Sequence, residues 1–139
     1  MLKDYKKQYE KLSEKKNLKG KEALEAVKQN GYALRYVAEQ TEEICLEAVK
    51  QNGDALRYVA EQTEEICLEA VKQDGYALQY VAEQTEEICL EAVKQNRDAL
   101  QYVDSKFFAE EKSEIFKELD SVKEKFFSEV DDLLNKIKI

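Results

Sequence analysis

The chain has 139 residues and a net charge of −8, with no histidine, no proline and four glycines. That length holds one domain, the missing histidine removes the commonest general base, and an acidic body disfavours binding that tracks along phosphates. No apolar stretch approaches the roughly 20 residues needed to cross a bilayer, and the N-terminal residues lack the apolar core of a secretory signal, so a cytoplasmic chain without membrane contact is expected.

Residues 1–20 carry seven lysines against three acids. Leu2, Tyr5, Tyr9 and Leu12 recur at helical spacing, which predicts a capping helix over 2–15 with a turn at Asn17 to Gly20. The lysines read as the solvated face of that helix; contact with an anion is the alternative.

From residue 21 to residue 103 one unit is written four times at a period of 22 residues. Leu24-Glu25-Ala26-Val27-Lys28-Gln29-Asn30-Gly31 returns with few changes at Leu46, Leu68 and Leu90, and Glu39-Gln40-Thr41-Glu42-Glu43-Ile44-Cys45 returns at Glu61 and Glu83. A fixed period of this kind is the signature of stacked repeats, in which no unit buries its apolar face alone.

One continuous helix could also carry a period close to six turns. At about 100° per residue, Val49, Leu56, Val59, Ile66 and Cys67 would then share a face with Asn52 and Thr63 at its centre. Polar residues there suit chain reversals instead. Asn52-Gly53 reads as a helix stop with glycine in the left-handed conformation. Thr63 reads as an N-cap, and Glu64-Glu65 place negative charge where the helix dipole favours it. The unit is therefore expected to hold a first helix over 42–51 and a second over 54–61. The expected buried sets are Ile44, Cys45, Ala48 and Val49 on the first, and Ala55, Leu56, Val59 and Ala60 on the second. The expected fold class is all-α: short helix-turn-helix repeats stacked as a right-handed α-solenoid, or wound as a tight helical superhelix, with capping helices at both ends. Arg97 stands where the other copies have glycine, so the fourth turn is expected to be altered or lost.

Cys45, Cys67 and Cys89 share one repeat position between isoleucine and leucine. Without histidine they make poor metal ligands, and at about 9–10 Å between layers they are too far apart for disulfides. They read as small buried hydrophobes. No metal and no cofactor is expected.

Over 104–139 the repeat dissolves. Phe107 and Phe108 suggest a short helix, and Ile115, Leu119, Val122, Phe126, Val130, Leu133 and Ile137 make an amphipathic stripe. It reads as a cap over the last repeat in a monomer, with a dimerisation helix as the alternative.

No phosphate loop, nucleophile elbow or thiol–base pair is present, so no enzymatic activity is expected. The candidate site is a strip on the second helices. Its first column varies as Tyr32, Asp54, Tyr76, Asp98, its second as Arg35, Arg57, Gln79, Gln101, and its third is constant as Tyr36, Tyr58, Tyr80, Tyr102. Tyrosine and arginine are enriched at protein–protein hot spots. A constant tyrosine can equally pack between layers with its hydroxyl at the rim.

The run Ala26-Val27-Lys28-Gln29-Asn30-Gly31-Tyr32-Ala33-Leu34-Arg35-Tyr36-Val37 resembles a tandem repeat of a domain-of-unknown-function family found in bacteria, phages and some protists. The resemblance covers about residues 20–103 and implies a helical-repeat interaction module with no established activity. The expected function is binding to another protein, with direct nucleic-acid binding disfavoured. The alternative is an anti-defence inhibitor of the anti-CRISPR type, encoded by a phage or mobile element and acting on a nuclease effector through carboxylates.

Overall fold

The computed structural model describes residues 18–108 and, beyond them, positions 117, 121, 124, 125, 128 and 129. The expected helix over 2–15 and the stripe from Ile115 to Ile137 lie outside the described residues.

Between residues 18 and 108 four α-helices alternate with 3-10 helices. The α-helices are α1 (Gly20–Gln29), α2 (Glu42–Gln51), α3 (Glu64–Gln73) and α4 (Glu86–Gln95). The 3-10 segments are η1 (Gly31–Tyr36), η2 (Gly53–Tyr58), η3 (Gly75–Tyr80), η4 (Arg97–Tyr102) and a short η5 (Ser105–Phe108). One α-helix with the 3-10 helix after it makes one layer. Each layer packs mainly on the next: α1 on α2, α2 on α3, α3 on α4, and likewise along η1 to η4. This is the quasi-one-dimensional contact pattern of an α-solenoid.

The first helix of the unit forms where its signals put it. The Thr41, Thr63 and Thr85 hydroxyls accept from the backbone N–H of Ile44, Ile66 and Ile88 at 3.2, 3.2 and 3.3 Å. Two glutamates follow in each first turn and a lysine stands in each last turn, both favourable to the helix dipole. Ile44, Cys45, Ala48 and Val49 are buried together with their equivalents in the next two layers.

The second segment is a six-residue 3-10 helix, not the α-helix expected over 54–61. Its turns close through i to i−3 bonds, Ala55 N–H to Asn52 carbonyl at 2.9 Å and Val59 N–H to Leu56 carbonyl at 3.1 Å. Such runs are short because their hydrogen bonds are poorly aligned. The chain then extends, and Ala60, expected in the core, is exposed. Ala55, Leu56 and Val59 are buried as expected.

The turn glycines correct the expectation most clearly. Gly31, Gly53 and Gly75 do not adopt positive φ; among the described residues only Gly20 does, at 60°. They are needed for space. A Cβ on Gly53 would sit 2.6 Å from the Ala70 carbonyl oxygen, and one on Gly31 or Gly75 would meet Ala48 or Ala92 in the same way. The C-terminal turn of the following α-helix lies directly against each glycine.

Arg97 follows from the same contact. Arg97 stands in the last of the four copies, and the repeat sequence supplies no fifth equivalent of α2 whose alanine carbonyl would sit against it. The altered turn expected there does not occur: η4 keeps the repeat geometry, with Asn96 Oδ1 accepting from Asp98 N–H at 3.0 Å, and the Arg97 guanidinium pairs with the Glu129 carboxylate.

A side-chain clasp joins successive layers. Gln40 donates Nε2 to the Tyr58 carbonyl and accepts the Ala60 N–H on Oε1, both at 2.8 Å. Gln62 treats Tyr80 and Ala82 alike, and Gln84 treats Tyr102 and Asp104 alike. Leu18 stands one period before Gln40, and its own peptide makes the corresponding bonds, N–H to the Tyr36 carbonyl at 3.0 Å and carbonyl from Ala38 N–H at 2.9 Å. The glutamine amide reproduces, layer by layer, a strand-like pairing that the backbone makes once among the described residues, between Leu18 and Val37.

Candidate functional site

The 3-10 helices carry the candidate strip on the side away from Leu34, Leu56 and Leu78, which are fully buried. Arg35, Arg57 and Gln79 are exposed; Tyr32, Tyr36, Asp54, Tyr58, Tyr76 and Tyr80 are half-buried.

The second and third columns interleave. The Arg35 guanidinium lies 5.4 Å from the Tyr36 ring centroid and 5.6 Å from that of Tyr58. Arg57 lies 4.8 Å from the Tyr58 centroid and 6.0 Å from that of Tyr80. Each arginine thus serves the tyrosine of its own layer and that of the next, at distances where the ring quadrupole attracts a cation. Arg57 also donates to the Tyr58 hydroxyl at 2.5 Å. Hydrogen bonding to Tyr58, then to Tyr80, raises the guanidinium pKa further above its ordinary value. In the next two layers glutamine replaces arginine and turns back to its own helix: Gln79 Nε2 donates to the Tyr76 carbonyl, and Gln101 Nε2 to that of Asp98, both at 3.0 Å. The cationic part of the strip is confined to the first two layers.

The variable first column pairs with itself. The Tyr32 hydroxyl donates to Asp54 at 2.8 Å and the Tyr76 hydroxyl to Asp98 at 2.9 Å. The alternation Tyr, Asp, Tyr, Asp is therefore a set of interlayer partners. The hydrogen bond to Asp54 is the main reason the Tyr32 phenol titrates above its ordinary range, with desolvation second; Asp98 acts likewise on Tyr76. The Tyr76 ring also meets the Tyr102 ring edge-on, with centroids 6.2 Å apart.

The cysteines sit on the other helices. Cys45, Cys67 and Cys89 are buried, unbridged thiols. Each donates weakly to the clasp glutamine five residues before it, at 3.6, 3.5 and 3.4 Å. Burial pushes their pKa up to about 11, 11 and 12, so the nucleophilic thiolate is suppressed. Among the described residues no cluster of acids or cysteines could hold a metal, and no helix is long and apolar enough to cross a membrane.

Residue-by-residue reading missed the clasp formed by Gln40, Gln62 and Gln84. Its signal was present: this glutamine is constant in three copies, and the Leu18 register lacks it.

The family model described as "Domain of unknown function (DUF4116)" matches the chain twice in tandem, over residues 23–63 and 63–108. No curated protein and no solved structure matches.

Proposed function

The chain belongs to the DUF4116 family, whose description names no activity, and we propose that it is a non-enzymatic module that binds another protein through the Tyr/Arg strip. The observation that carries this reading is the stack Tyr36, Arg35, Tyr58, Arg57, Tyr80, in which two exposed guanidiniums are held between ordered rings. Cation–π contacts on both sides restrict the arginine rotamers before a partner arrives, which lowers the entropy lost on binding. The rings supply apolar area and the guanidinium edges supply donors, the combination found at hot spots.

The test is quantitative affinity capture on the full chain, comparing wild type with Arg57→Ala and Tyr58→Ala, followed by binding measurements on the purified partner. Loss of about 2 kcal/mol of affinity in either variant is expected, with helicity and melting temperature close to wild type. A partner held equally well by both variants overturns the reading.

A further inference from the structure

A second surface runs along the loops that leave the 3-10 helices. Between successive layers the extended segment after each 3-10 helix stands off from the next α-helix and leaves a hollow. One hollow has Cys45 and Ile66 at its floor, the next has Cys67 and Ile88, and the two share Ala60 and Thr63 as a common wall. They therefore form one trough that crosses the layers.

The trough wall is acidic. Glu42 and Glu61 line the first hollow, and their equivalents Glu64 and Glu83 line the second, with no basic residue among the lining side chains. All four are exposed. Among the described residues none of the four is paired with a base, whereas Glu25 and Glu47 on the neighbouring helix face are paired with Lys28 and Lys50. The net charge of −8 adds a long-range field of the same sign. Ala60 and Ala82, also exposed, leave room on the wall for a backbone to approach.

We propose that this trough docks an extended polypeptide segment of a partner that carries a lysine or arginine at every third position. The spacing follows from two lengths. Packed helices repeat at about 9–10 Å, and a polyproline II chain rises about 3.1 Å per residue with three residues per turn. Every third side chain then points the same way about 9 Å further on, one per layer, and meets the acid pair of each hollow. The intervening residues pass over Ala60 and Ala82. This surface is distinct from the Tyr/Arg strip and does not depend on it.

The experiment uses the full chain and a fluorescein-labelled peptide of Lys-Pro-Pro triplets, followed by polarisation at low and physiological salt. Saturable binding that weakens as salt rises is expected. A peptide of the same composition with lysines at irregular spacing is expected to bind about tenfold more weakly. Replacing Glu42, Glu61, Glu64 and Glu83 with glutamine together is expected to lower affinity by about tenfold or more, since each exposed pair contributes a fraction of a kcal/mol. Arg57→Ala is expected to leave the peptide's affinity unchanged. Circular dichroism and the melting temperature of the glutamine variant are read alongside; if that variant fails to fold, Glu61→Lys and Glu83→Lys, on the loops and outside the helices, serve in its place. Absence of binding, equal affinity for the irregular peptide, equal affinity for spermidine per charge, or unaltered affinity in a folded acid-wall variant each overturns the proposal.

Discussion

The side-chain amide of Gln62 donates to the backbone carbonyl of Tyr80 at 2.8 Å, across the gap between two layers. Its other end accepts the N–H of Ala82 at 2.9 Å and the thiol of Cys67 at 3.5 Å. One side chain therefore satisfies a carbonyl and an N–H that no regular element reaches, and it ties helix, loop and neighbouring layer together.

Gln62→Ala is expected to destabilise the protein by about 2 kcal/mol, because two backbone groups lose their partner. Gln62→Glu keeps the acceptor but loses the donor, and is expected to fall between wild type and alanine at neutral pH. Urea denaturation followed by far-UV circular dichroism checks both. A midpoint for Gln62→Ala equal to wild type would mean that water replaces the clasp without cost.

Gly53→Ala is expected to cost about 1–3 kcal/mol through overpacking against the Ala70 carbonyl. Gly53→Asn separates this cause from backbone strain. Asparagine is relatively tolerant of positive φ, so it would rescue a left-handed turn, whereas here it is expected to be no better than alanine. Arg97→Ala, at the equivalent position in the last copy with no further repeat helix following it, is expected to stay within about 0.5 kcal/mol of wild type. Thermal melts of the three variants decide the matter.

The thiols give a pH dependence with a definite sign. Burial raises the folded-state pKa of Cys45 and Cys67 from 9.0 to about 11 and that of Cys89 to about 12. Between these limits the unfolded chain loses the thiol proton and the folded chain keeps it, so stability is full below pH 9 and falls as pH rises towards 11 and 12. Tyr32 and Tyr76, raised above 10.0, act in the same direction at higher pH. Cys67→Ala is expected to flatten part of this alkaline loss while costing about 1 kcal/mol at neutral pH as a small core change. Stability measured from pH 7 to pH 11 in wild type and variant checks the sign. Labelling by a thiol reagent at pH 8 is expected to be slow without denaturant and fast with it.

The Tyr32–Asp54 pair is expected to be coupled. Asp54→Asn weakens the hydrogen bond that chiefly raises the Tyr32 pKa and also removes the carboxylate charge, so the phenol pKa should fall back towards 10.0. Ultraviolet titration of wild type, Asp54→Asn and Tyr32→Phe resolves the one phenol concerned. A double-mutant cycle is expected to give about 0.5–1.5 kcal/mol of interaction. An unmoved tyrosine titration in Asp54→Asn would show that the hydroxyl points elsewhere in solution.

Much of the layer was legible because its signals are local. The period of 22 residues, the threonine caps, the acids after them and the Asn-Gly stop all act within a few residues of where they stand. They placed α2 from Glu42 to Gln51 and its four buried residues without reference to anything distant. The second segment was placed but its geometry was not. Five or six residues with Ala, Leu and Tyr have no propensity that separates a 3-10 from an α-helical turn, and the extended exit at Ala60 depends on where the glutamine of the preceding layer holds it.

What the sequence by itself determined is the repeat, the helical class, the threonine caps and the residues of the first helix that face inward. Each follows from periodicity or from a contact closed within one turn. What only the tertiary structure decided are the relations across one period: glycine chosen for room beneath the Ala70 carbonyl rather than for φ, Gln40 standing in for the peptide of Leu18, and tyrosine matched to aspartate in alternate layers. These partners lie 17 to 22 residues apart. Nothing local specifies the distance between two layers, and that distance fixes whether a Cβ clashes, whether an amide spans the gap and which side chain a hydroxyl can reach.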